Sequence, residues 1–173
     1  MFEAVIATLD REIENIASGD PRGQAERKAS RKRASLGFRG GFIATVVMTL
    51  FRMPISLSPP PTANFWATYI GTEDPADYQL VGLILHLAYG VMGGIVFAMI
   101  APGKGESDAM AETKNATVGS LYGFALSIFG LRIILERILD MNLAQDERLV
   151  FHLSHVIYGL TLGTWVGSRL GAE

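Results

Sequence analysis

Four stretches of this chain, residues 40–57, 80–101, 116–135 and 149–168, are almost free of charge and long enough to cross a bilayer. A hydrocarbon core of roughly 30 Å requires about 20 apolar residues of helix. Inside that core every backbone N–H and C=O must be paired within the segment, which favours helices for isolated runs of this length. Arg52 and Pro54 stand near the far end of the first run, the second carries no formal charge, and the third can continue past Glu136 to Leu139. Only 18% of the chain is charged, against about 25% in a soluble domain, because the charges gather in the connections. The expected fold class is all-α, a four-helix transmembrane bundle.

The connections divide the chain further. Residues 1–17 place Phe2, Val5, Ile6, Leu9, Ile13 and Ile16 on one helical stripe, an amphipathic helix stopped by Gly19, Asp20 and Pro21. Its acidic polar face suits a protein contact better than anionic lipid. A basic stretch follows (Arg22, Arg27, Lys28, Arg31, Lys32, Arg33, Arg39), ending where the first apolar run begins. Juxtamembrane Lys and Arg mark a cytoplasmic flank; no interleaved aromatics accompany them, so no nucleic-acid partner is expected. Residues 1–39 thus form a cytoplasmic arm, 40–168 the transmembrane domain and 169–173 a short cytoplasmic tail. After Pro59, Pro60 and Pro61 break the first helix, residues 62–77 read as a loop with interfacial aromatics Phe65, Trp66 and Tyr69. Residues 104–115 and 140–148 read as the remaining loops.

Lys and Arg also orient the chain. Eleven fall on the side of the arm, the 104–115 loop and the tail, against Arg52, Arg132, Arg137 and Arg148 on the other. Both termini are therefore expected in the cytoplasm of a multi-pass protein of the cell membrane. With no cysteine, disulfides, thiolate metal sites and iron–sulfur clusters are excluded. Charged residues at positions 3, 10, 11 and 12 interrupt the start before a secretory signal develops.

The second and fourth runs agree when offset by 69 positions: LVGLILHLAYGVMGG from Leu80 faces LVFHLSHVIYGLTLG from Leu149. The shared frame aligns His86 with His155, Tyr89 with Tyr158, Gly90 with Gly159 and Gly94 with Gly163. Two copies of a two-helix unit are expected. Gly90, Gly94, Gly159 and Gly163, with Gly119 and Gly123 on the third helix, have the spacing that lets membrane helices approach closely. The glycine faces of the second and fourth helices are expected to meet at the bundle centre. Thr45 and Thr49 are expected to hydrogen-bond carbonyls one turn back.

Polar side chains at membrane depth are costly and tend to be functional. His86 and His155 lie about 9–10 Å from the outer ends of their helices by helical rise. With Tyr89 and Tyr158 one turn away, they either hydrogen-bond neighbouring helices or bind a ligand. As ligands they would serve a b-type haem, and His152 would add a nitrogen to a metal site. Arg52, Arg132 and Glu136 extend the cluster towards the outer leaflet as a vestibule for an anion, a quinone headgroup or protons. Arg132 and Glu136 are four apart and positioned to pair. No phosphate loop, H-E-x-x-H or nucleophile elbow occurs.

The run Gly41-Phe-Ile-Ala-Thr-Val-Val-Met48-Thr49, followed by His-x-x-Tyr-Gly in the second and fourth helices, resembles a group of small, uncharacterised four-helix membrane proteins of archaea and bacteria. The resemblance covers residues 40–167 and implies a fold and a membrane location, with no activity to transfer. The function expected is non-enzymatic: an accessory or scaffold subunit of a membrane complex, or a homo-oligomer, in contact with lipid and with a protein partner or a second copy. No cofactor is expected. The alternatives are a haem- or metal-binding redox protein using His86 and His155, and a small-solute or proton pathway.

Overall fold

The computed structural model describes residues 21–55, 61–72, 74–102 and 108–170. The amphipathic helix read in residues 1–17 and the end of the tail lie outside the described residues. Helix α1 spans Pro21–Arg52, α2 Pro61–Tyr69, α3 Gln79–Ile100, α4 Asp108–Phe129 and α5 Gln145–Leu170; no strand occurs among the described residues. Four helical segments are long and apolar enough to cross a membrane. Even in the most enclosed, only 44% of the apolar window is buried inside the protein. Leu80, Met92, Leu121 and Leu149 are each about two-thirds exposed on these spans. Their surroundings must therefore be apolar, and a bilayer is the solvent that fits.

The spans α3 and α5 fall close to their apolar runs, but the other boundaries differ. Helix α1 starts at Pro21 instead of residue 40, so the basic stretch and the first apolar run form one continuous 32-residue helix. The cause is local: Ala25, Glu26, Arg27, Lys28, Ala29, Arg31 and Lys32 are good helix formers, and Pro21 suits the first helical position. Helix α4 likewise starts at Asp108 inside the expected 104–115 loop, where Ala109, Met110, Ala111 and Glu112 carry helical propensity. Residues 61–69 are helical too, not loop, with Pro61 again at a helix start. The first span ends at Arg52, followed by a turn, instead of reaching residue 57.

Helix α1 packs against both α3 and α5, and α4 packs against α5. Glycines set these distances. A Cβ on Gly41 would lie 2.6 Å from the Gly90 carbonyl oxygen and 3.1 Å from the Gly94 Cα; one on Gly37 would collide with Gly94. A Cβ on Gly119 would collide with the Gly159 carbonyl and lie 2.9 Å from the Gly163 Cα, and one on Gly123 would collide with the His155 carbonyl. The glycine faces of α3 and α5 therefore do not meet each other, contrary to expectation. The face of α3 is filled by α1, and that of α5 by α4. Helical spacing reports which residues share a face but not which neighbour covers it.

Between the two pairs lies a core of Ala44, Met48, Phe97, Tyr158, Leu162 and Val166. Thr45 Oγ1 donates to the Gly41 carbonyl (2.6 Å) and Thr49 Oγ1 to the Thr45 carbonyl (2.7 Å), as expected. Arg33 Nη1 donates to the carbonyls of Ala98 (2.9 Å) and Ala101 (3.2 Å). It thereby satisfies acceptors that the C-terminus of α3 leaves without an intrahelical partner.

At its far end α4 widens into a π-helix, Gly130–Ile138. The winding closes on Asp140 in the left-handed region (φ 52°), the usual helix-terminating conformation. The N–H of Met141 reaches back to the Leu135 carbonyl (2.9 Å). Glu147 Oε2 then accepts from the Ala144 N–H (3.1 Å) at the start of α5, where a carboxylate also complements the helix dipole.

Candidate functional site

The half of the bundle that holds the ends of α1 and α4 and the starts of α3 and α5 encloses a cavity of about 370 Å³. All five helices and the π-helix contribute to its lining. Helices α3 and α4 meet lower down, where Tyr122 donates to the Gly93 carbonyl (2.9 Å) and its ring meets that of Phe97 at a tilt, 5.3 Å between centroids. Above that contact Leu85, Leu126, Ile134, Leu135 and Phe151 line an apolar chamber. The π-helix contributes Gly130, Ile134 and Leu135 to this wall; such widened turns occur often at functional sites.

Helix α2 forms part of the lining through Pro61, Thr62 and Phe65. It is fixed at both ends. Thr62 Oγ1 donates to the Gly82 carbonyl (2.6 Å), and Ala63 occupies the space a side chain on Gly82 would need. At the other end Tyr69 donates its hydroxyl to the Ile138 carbonyl (2.8 Å), tying α2 to the end of the π-helix.

Five of the expected polar residues meet in this cavity: Arg52, His86, Tyr89, His155 and Tyr158. Some of their atoms are already engaged. Tyr158, buried, donates to the Gly90 carbonyl (2.6 Å). His155 Nδ1 lies 2.8 Å from the Phe151 carbonyl; since a carbonyl only accepts, Nδ1 carries the proton and Nε2 is left for another partner. The His155 ring packs on Phe151 at 4.4 Å. Ser154 and Thr49 spend their hydroxyls on backbone carbonyls. Among the described residues, the groups left available to a ligand are the Arg52 guanidinium, the His86 imidazole, the Tyr89 hydroxyl and His155 Nε2.

Three expected members lie elsewhere. His152 turns to α4, its Nδ1 2.7 Å from Ser127 Oγ. Ser127 gives its own proton to the Phe124 carbonyl (2.6 Å), so His152 is the donor in that pair and does not converge with His155. Arg132 and Glu136 pair at 3.2 Å as their spacing implies, and Glu136 also takes Arg148 at 3.4 Å. This triad sits on the outside of the bundle, with the Arg132 side chain 66% exposed; it is not part of the cavity lining. Among the described residues no three His, Asp or Glu side chains group as metal ligands.

Tyr122 is not among the residues expected from sequence, yet it ties α4 to α3. A signal for it exists: Tyr122-Gly123 repeats the dipeptide of Tyr89-Gly90 and Tyr158-Gly159. The contribution of α2 had no comparable signal, because its aromatics fit an interfacial loop equally well.

No protein-family model, curated protein or solved structure matches this chain.

Proposed function

We propose that this protein is a non-enzymatic, multi-pass membrane protein whose bundle holds an amphipathic ligand taken from the surrounding bilayer. The observation that carries the reading is the cavity: an apolar chamber with Arg52, His86, Tyr89 and His155 presenting unengaged polar atoms to it. Ligand sites are commonly concave, mostly apolar and oriented by a few polar groups. An accessory role, holding the ligand for a partner in the same membrane, is compatible with this chemistry. Self-association through the glycine faces draws no support, because those faces are filled within the bundle. Nothing in the site favours haem ligation over a ligand held by hydrogen bonds.

Two further readings accompany this one. The termini face the cytoplasm, on the strength of the Lys and Arg asymmetry. The helix pairs descend from one two-helix unit: Gly41 stands to Gly90 and Gly94 as Gly119 stands to Gly159 and Gly163. The resemblance to small four-helix membrane proteins agrees with both.

Native mass spectrometry of the full chain, purified in mild detergent, tests the ligand reading. A retained small amphiphile is expected, and Ile134→Trp, which fills the chamber, should lose it while keeping its helical signal. A ligand-free protein that also fails to take up added amphiphiles would overturn the reading.

A further inference from the structure

The cavity is electrostatically one-sided. Its described lining contains Arg52, His86 and His155 but no Asp or Glu. Arg52 occupies the last residue of α1, half-buried, and its guanidinium makes no hydrogen bond or ion pair among the described residues. Glu147 is engaged in capping the start of α5. Glu136 is taken by Arg132 and Arg148. The C-terminal dipole of α1 offsets roughly half a unit charge, which leaves the guanidinium donors themselves unmatched. A partly buried charge with no ion pair or hydrogen bond among the described residues is costly, and a planar guanidinium is suited to carboxylate and phosphate oxygens.

We infer that the ligand is an acidic single-chain amphiphile, its carboxylate or phosphate head held by Arg52 and its chain by the apolar wall. The inference rests on the ligand-binding reading above. The chamber, about 370 Å³, lies at the small end of the roughly 300–1,000 Å³ typical of ligand pockets, a size that suits one chain. His86 and His155 Nε2 lie within the same lining to supply further hydrogen bonds to the head. Leu85, Leu126, Ile134 and Phe151 take the chain.

Three ligands of equal chain length separate the possibilities: oleate, oleoyl lysophosphatidate and oleyl alcohol. Their binding to the full chain in nanodiscs of neutral phosphatidylcholine is measured by displacement of a fluorescent acyl probe. At least one acid is expected to bind about tenfold tighter than the alcohol, the scale of one charge-assisted hydrogen bond; whichever acid leads identifies the head. Arg52→Gln should abolish that preference by weakening acid binding more than alcohol binding, while Arg132→Gln, outside the cavity, should keep it. Equal binding of acids and alcohol to the wild type would overturn the inference but leave the ligand-binding reading intact. So would an undiminished acid preference in a folded Arg52→Gln protein. If none of the three binds, the ligand-binding reading itself falls. Should Arg52→Gln fail to fold, Arg52→Lys replaces it: charge is kept but the planar fork is lost, so a smaller acid preference is expected and an unchanged one counts against the assignment.

Discussion

Tyr158 on α5 donates its hydroxyl to the carbonyl of Gly90 on α3 across 2.6 Å, joining two helices whose backbones otherwise pack against other partners. The residue is almost fully buried, and Tyr122 makes the parallel bond to Gly93 from α4. Two tyrosines thus bind the middle of α3 to the opposite helix pair. Interhelical hydrogen bonds in membranes average about 0.6 kcal/mol and reach about 1.7. Tyr158→Phe should cost about 1 kcal/mol, and Tyr122→Phe, half-buried, less. Reversible unfolding in mixed micelles would measure both. A Tyr158→Phe variant as stable as wild type would show that the bond adds nothing.

The close helix contacts make a sharper forecast. A side chain on Gly119 or Gly123 meets backbone, which cannot rotate away. Gly123→Val should therefore separate α4 from α5 and cost at least the 1–3 kcal/mol typical of overpacking. Leu121→Ala, two residues away on the lipid face and 65% exposed, should stay within about 0.5 kcal/mol of wild type. Equal expression and stability of the two variants in the same micelles would contradict the packing described above.

Legibility of the fold followed the physics of each feature. Four spans were visible because lipid solvation demands long uncharged runs, which are properties of the sequence itself. The extension of α1 to Pro21 was obscured because charged residues look like a flank even when, as with Arg27 to Lys32, they are good helix formers. In the site, His86, Tyr89, His155, Tyr158 and Arg52 were legible from spacing and depth. His152 was misplaced because residues three apart on a helix can diverge to different neighbours; here Ser127 on α4 captures it. The cavity itself depends on how residues from all five helices come together, a tertiary arrangement no local pattern encodes.

The tether of α2 is thin. Tyr69 reaches the Ile138 carbonyl from an exposed position, whereas the opposite end is fixed by both Thr62 and the contact of Ala63 with Gly82. Tyr69→Phe should loosen the far end alone. Amide hydrogen exchange is expected to quicken in the last turn of α2, with the stability of the four spans unchanged, since an exposed neutral hydrogen bond contributes about 1 kcal/mol or less. Unaltered exchange there would mean that the bond does not hold the helix against the cavity.

The orientation inferred from charge can be read directly, because the chain contains no cysteine and each introduced thiol is the sole target. Lys28 lies on the basic part of α1 and is exposed; Asp140 ends the π-helix at the other end of the bundle. Translocating the arm would move its many cations across the membrane, whereas the opposite side carries only four. A membrane-impermeant maleimide should therefore label Asp140→Cys in intact cells and Lys28→Cys only after permeabilisation. The reverse pattern would invert the topology and move the Arg52 cavity to the cytoplasmic leaflet, where its acidic ligand would have to be sought instead.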